Sequence, residues 1–187
     1  MKVENELPEK FSKLMDALPD ELFDGAPARG AKFSIDRRYR FELWRIWDDS
    51  KPLIMFVGLN PSTANETDND PTIKSVIRIA RHNGYGGIYM MNCFAYVSTD
   101  PKALHDCGGY EENRESLLKV AAKCKHVVFA WGNFKIVKDE LMDIELKKLF
   151  PNALALHVNK NGSPKHPLYC KSITKLVNFQ TGVIVDL

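Results

Sequence analysis

Four apolar runs in this chain each end in a small cluster of glycine, asparagine, proline or histidine. Leu53-Ile54-Met55-Phe56-Val57 runs into Gly58-Leu59-Asn60-Pro61-Ser62, and Ile88-Tyr89-Met90-Met91 runs into Asn92. Val127-Val128-Phe129-Ala130 leads to Trp131-Gly132-Asn133, and Ala153-Leu154-Ala155-Leu156 leads to Asn161-Gly162-Ser163-Pro164-Lys165-His166-Pro167. Helical periodicity fills the intervals. Asp70 is placed to cap a helix with Pro71 at its first position and Ile73, Val76, Ile77 and Ala80 on one face. A second helix is expected around Asn113–Ala122, and a third carries Val137, Leu141 and Ile144. Strands alternating with helices of this length imply βαβ units and a mainly parallel sheet. Ahead of them, Phe33 to Trp47 alternates, through Tyr39-Arg40-Phe41-Glu42-Leu43-Trp44, as one or two antiparallel strands would. The expected fold class is an α/β sandwich.

Residues 1–30 read as an extension to a single α/β domain over residues 31–187. Phe11, Leu14, Met15 and Leu18 define an amphipathic helix stopped by Pro19. Asp24-Gly25-Ala26-Pro27-Ala28-Arg29-Gly30 reads as a turn-rich linker. Charge separates the two parts: the extension holds four basic and seven acidic side chains, a net of −3, leaving +5 for the rest. Basic residues cluster at Arg37, Arg38, Arg40 and Arg45 and again at Lys160, Lys165 and Lys171. They suit phosphates or a solvated face equally.

With 187 residues, 44% of them hydrophobic, the chain can bury one substantial core. No apolar run approaches the roughly 20 residues needed to span a bilayer, and the first residues hold no apolar signal segment. Cys93, Cys107, Cys124 and Cys170 are scattered without a CxxC pair, so neither a zinc site nor disulfides are expected. A reducing cytoplasm is the expected compartment, with no membrane partner and no cofactor.

In open parallel sheets, ligands bind beyond the carboxyl ends of the strands. Four polar strand ends therefore point to one composite site, although glycine, asparagine and proline also make ordinary turns there. Each candidate has a plainer role as well. Asn60 before Pro61 suits an Asx turn, Asn92 a strand end, His166 a loop histidine, Trp131 the core, and Asp70 a helix cap. Glu66, Asp68 and Asp70 lack an accompanying histidine or cysteine, and no metal site is expected. Ser62-Thr63 lacks the G-x-S-x-G setting of a hydrolase nucleophile.

Taken in order, Tyr39-Arg40, Leu59-Asn60-Pro61-Ser62-Thr63-Ala64, Asp70-Pro71-Thr72, Asn92-Cys93-Phe94-Ala95-Tyr96, Thr99-Asp100-Pro101, Ala130-Trp131-Gly132 and Gly162-Ser163-Pro164-Lys165-His166-Pro167-Leu168-Tyr169 form a series. It closely resembles DUF1643, a conserved bacterial and phage family of unknown function, over about residues 39–169.

More distantly, the same order of features resembles the uracil-DNA glycosylase superfamily. That resemblance implies a three-layer α/β sandwich with a four-stranded, mainly parallel sheet in strand order 2-1-3-4. It implies that Gly58-Leu59-Asn60-Pro61 positions a hydrolytic water, Asn92 reads a base edge, and His166 stabilises the departing base. Catalytic roles thus fall to Asn60 and His166. Substrate contacts fall to Gly58, Pro61, Ser62, Asn92, Phe94, Trp131, Gly132, Lys165 and Tyr169. Phe94, Tyr96 or Tyr169 would stack on the base. This chain departs from the superfamily's pattern in three ways. Asn60 stands where aspartate is usual, His166-Pro167-Leu168-Tyr169 lacks the usual serine and second proline, and the segment before Asn92 is short. An asparagine is no strong general base, so its part would be positioning.

Three classes of function follow: a base N-glycosidase acting on DNA or a nucleotide, a non-catalytic reader of modified bases, and a small-molecule nucleotide hydrolase or transferase on the same scaffold. The expected partner is DNA or a nucleotide. Protein partners are not indicated.

Overall fold

The structure, a computed structural model, describes residues 28–185. The helix expected over Phe11–Leu18 and most of the expected linker lie outside the described residues. Ala28, Arg29 and Gly30 of that linker are instead the first residues of β1 (Ala28–Phe33), which pairs antiparallel with β2 (Arg40–Ile46). The chain continues through β3 (Leu53–Gly58), α1 (Pro71–His82), β4 (Gly87–Asn92), α2 (Tyr110–Ala121) and β5 (His126–Phe129). It ends with α3 (Ile136–Asp139), α4 (Met142–Leu149), β6 (Leu154–Ala155) and β7 (Val177–Asn178).

The strands form a mixed seven-stranded sheet in the order β1-β2-β4-β3-β5-β6-β7. The expected four-stranded sheet is therefore only the parallel centre of a larger one. Its strands β4, β3, β5 and β6 pair parallel in the order anticipated for them. Antiparallel strands extend both edges: β2 joins β4, and β7 joins β6.

Burial on both faces explains why the central strands read as continuous apolar runs. Met55 and Val57 of β3 pack with Leu117 and Val120 of α2 and Leu146 of α4. Ile54 and Phe56 face the other way, onto Ile73, Val76, Ile77 and Ala80 of α1. The start of α1 is set locally, since Asp70 Oδ1 accepts from the Ile73 N–H at 2.8 Å and Pro71 lacks the donor that would otherwise go unpaired.

The third helix differs from expectation. Leu141 adopts a left-handed φ of 57°, which breaks the segment into α3 and α4 and re-phases the second part. Leu141 and Ile144, expected to face inward, are 62% and 48% exposed, while Met142 and Leu146 take the buried positions.

The chain after β3 enters α1 on one face of the sheet, whereas the chain after β4 enters α2 on the opposite face. Loops leaving neighbouring strands in opposite directions open a crevice at their carboxyl ends.

Candidate functional site

A cleft of about 350 Å³ lies at that crevice. Gly58, Asn60 and Ser62 enter it from the β3 end and Asn92 from the β4 end. Asp70 and Thr72 contribute from the start of α1, and Ser98 and Thr99 from the loop after β4. Phe134 and the turn bearing His166 and Leu168 close one side, and Arg40 of β2 joins the lining. A second groove of about 440 Å³ shares Phe134 and His166 with the cleft and adds Gly132, Lys160, Lys165 and Tyr169. Four separate loops thus converge, and His166 stands where cleft and groove meet.

Two expected contacts lie elsewhere. Phe94 is 1% exposed in the core, in a T-shaped contact with Tyr110, and lines neither the cleft nor the groove. Trp131 is 2% exposed and packs on Phe129 and Phe179. Pro61 is buried, and its carbonyl accepts from the Ser98 N–H and from Asn60. Tyr169, by contrast, is 76% exposed at the rim of the groove.

Asn60 is a loop clamp as well as a lining residue. Its Nδ2 donates to the carbonyls of Pro61 at 2.9 Å, Tyr96 at 3.4 Å and Ser98 at 2.7 Å, tying the β3 loop to the β4 loop. Three carbonyls around one atom fix the orientation of the amide. Oδ1 is therefore the acceptor left for the cleft. The same geometry gives a reason for asparagine here. An aspartate would turn a charged oxygen toward three carbonyl oxygens, a repulsive arrangement that leaves the Pro61 carbonyl its Ser98 N–H but takes the Asn60 donor from those of Tyr96 and Ser98. Asn60→Asp is expected to destabilise the fold by about 1–3 kcal/mol, on the scale of losing a donor to part-buried acceptors. Urea unfolding checks this, and a variant as stable as wild type would show that the carbonyls find other donors.

Asn92 is 2% exposed and held from both sides. Its Oδ1 accepts from Arg40 Nη2 at 3.1 Å, and its backbone carbonyl accepts from Asn113 Nδ2 of α2 at 3.0 Å. Arg40 thus engages its acceptor oxygen, and its Nδ2 donor remains for a ligand. Gly58 makes room for that amide: a Cβ at position 58 would sit 3.0 Å from Asn92 Nδ2 and 2.5 Å from Met90 Cε.

His166 caps its own turn, with Nδ1 accepting from the Leu168 N–H at 3.3 Å. An acceptor at Nδ1 puts the proton of the neutral ring on Nε2. Burial holds the imidazole below its ordinary 6.5, against a smaller opposing pull from Asp70. The ring is therefore a neutral donor at physiological pH. Gly132, at a φ of 81°, packs close beside it, since a Cβ there would lie 3.1 Å from His166 Cβ.

These directions carry a pH expectation. Burial likewise lowers His126 and His82. Below about 6.5 the unfolded chain takes up protons that the folded chain resists, so stability present above that pH is lost as pH falls. Thermal midpoints should begin to decline there, well before the pH at which Asp36 and Glu66, each held at about 2, can protonate. His166→Gln should make the decline shallower. A slope unchanged in that variant would exclude His166 as a contributor.

Sequence reasoning missed Arg40, Asp70, Thr72, Ser98, Thr99, Phe134 and Leu168 as lining residues. Asp70 reads in the sequence as a helix cap, which it is, and it also lines the cleft. Phe134 is 40% exposed beside Gly132, a surface aromatic at a strand end and so the one legible signal among them. Among the described residues, no group of three or more His, Cys, Asp or Glu is placed to hold a metal ion, and no helix is long and apolar enough to cross a membrane.

Fold and site together define an α/β protein with a polar cleft at the carboxyl end of its parallel strands. Residues 40–168 match the family described as protein of unknown function (DUF1643), and the chain belongs to that family. No curated protein and no solved structure matches it.

Proposed function

We propose that the cleft binds a nucleobase and that the protein is a base N-glycosidase with a uracil-DNA-glycosylase-like sheet, acting on DNA or a nucleotide. One observation carries the reading: Asn60, Asn92 and His166, from three separate loops, line the same cleft. Its volume of about 350 Å³ falls within the range of small-ligand pockets, about 300–1,000 Å³.

Breaking an N-glycosidic bond develops positive charge on the sugar and negative charge on the departing base. Asn60 Oδ1 is an acceptor that can orient a water toward the sugar. Asn92 Nδ2 and the Nε2–H of His166 are fixed donors for an oxygen that gains charge. A base within a duplex must first leave the stack, and Tyr169 and Phe134 are exposed aromatics beside the cleft on which bases can stack. Lys160 and Lys165 border the same groove, where phosphates would run.

A second reading, a non-catalytic reader of bases, draws on a specific observation. The carboxylate lining the cleft, Asp70, is engaged as the α1 cap, and Asn60 is no strong base. A screen of base release from oligonucleotides bearing uracil, mismatches and modified bases separates the two. Release from any of them upholds the glycosidase. Binding without release upholds the reader, and neither activity, with turnover of free nucleotides, moves the site to small-molecule chemistry.

A further inference from the structure

Arg40 stands out from the other cleft residues. It is 3% exposed, and its guanidinium donates to the Ala64 carbonyl at 2.9 Å and to Asn92 Oδ1 at 3.1 Å. Both acceptors are neutral. Its Nε is buried without a partner, and among the described residues no carboxylate comes within ion-pair distance of it. Asp70 is near enough to act on it electrostatically but is used at the helix cap, and Arg45 nearby adds charge of the same sign. Burial lowers the guanidinium only to about 10, so it remains charged at neutral pH. An uncompensated buried cation is costly, and such groups are ordinarily paired.

Two further donors face the same cleft. Asn92, whose Oδ1 accepts from Arg40, presents Nδ2, and the cap at Nδ1 of His166 leaves Nε2–H for the cleft. We infer that the Arg40–Asn92 end of the cleft is an anion site, built to receive an oxyanion on the ligand, whether a phosphate or the deprotonated carbonyl edge of a base. The missing counter-charge of Arg40 is then supplied by the ligand. This does not depend on whether the cleft performs glycosidic chemistry, but within that reading it makes the leaving base anion the group that Arg40 stabilises.

Calorimetric titration at constant ionic strength tests it with three probes: inorganic phosphate, the barbiturate anion, and neutral uracil, which has nearly the shape of barbiturate. At least one anion should bind, and barbiturate, if it binds, should be favoured over uracil by tenfold or more. Phosphate binding without barbiturate assigns the site to a phosphate, and the converse assigns it to a base. Arg40→Gln should abolish the anion preference. Because that variant removes a buried clamp, Asn92→Asp provides an independent check. A carboxylate placed against Arg40 Nη2 supplies the counter-charge internally, so this variant should melt at a higher temperature than wild type and bind the anions at least tenfold more weakly. The inference is overturned if no anion binds, if uracil binds as tightly as barbiturate with no phosphate binding, or if Asn92→Asp binds anions undiminished. Base release without anion preference would sink this inference and leave the glycosidase reading standing. Anion binding without base release would do the reverse.

Discussion

Replacing Arg45 by leucine should lower the stability of the fold by about 3–5 kcal/mol, the scale of leaving several buried acceptors without donors. Arg45 lies on β2 with 1% of its surface exposed. Its Nε donates to Asn69 Oδ1 at 2.8 Å, and its Nη2 donates to the carbonyls of Asn65 at 2.8 Å and Asp68 at 3.2 Å. Its Nη1 reaches the carbonyls of Trp44 at 2.8 Å and Gly30 at 3.3 Å. One side chain therefore joins β1, β2 and the segment that carries the chain from β3 to α1. Leucine fills part of the volume and supplies none of the donors. Urea unfolding should show a lower midpoint at nearly constant slope, the mark of lost stability without lost compactness. A loss under about 1 kcal/mol would mean that water reaches the orphaned carbonyls and replaces the guanidinium.

Arg40 and Arg45 show where the sequence is opaque. Along the chain they belong with Arg37 and Arg38 to one basic cluster, equally suited to phosphates or to solvent. The structure separates them. Arg37 and Arg38 are exposed and pair with Glu66 and Asp36, whereas Arg40 and Arg45 point inward and hold the loop from Ala64 to Asn69 by its carbonyls. Nothing in residue type distinguishes the two pairs, because the acceptors are backbone atoms brought near by tertiary folding. Asn60, Asn92 and His166 were legible for the opposite reason: each follows an apolar run whose strand character is local, and strand ends of a parallel sheet gather on one edge. Phe94 misled because an aromatic beside a candidate asparagine reads the same whether it faces a ligand or the core. The short strands at the sheet's far edge left almost no pattern, since β7 spans only Val177–Asn178. Leu141 kept the helical period in sequence but lost it in space through one left-handed residue.

On a substrate that the wild type cleaves, His166→Ala should reduce the rate of base release by about a hundredfold or more, the usual effect of deleting one fixed donor to a developing anion. Substrate affinity should fall far less, because the ground-state carbonyl carries little of that charge. The pH profile gives a separate readout. The turn over Pro167–Tyr169 is held by Nδ1 accepting from the Leu168 N–H. Protonation would put a second N–H where that acceptor is needed, turning the cap into a clash between donors. Wild-type activity should therefore decline on the acid side as the turn loosens, even though a protonated ring is the stronger donor. His166→Ala should lose that acid limb along with most of its rate. A variant within a few-fold of wild type, with the limb intact, would reduce His166 to a cap and return the donor role to Asn92 and Arg40.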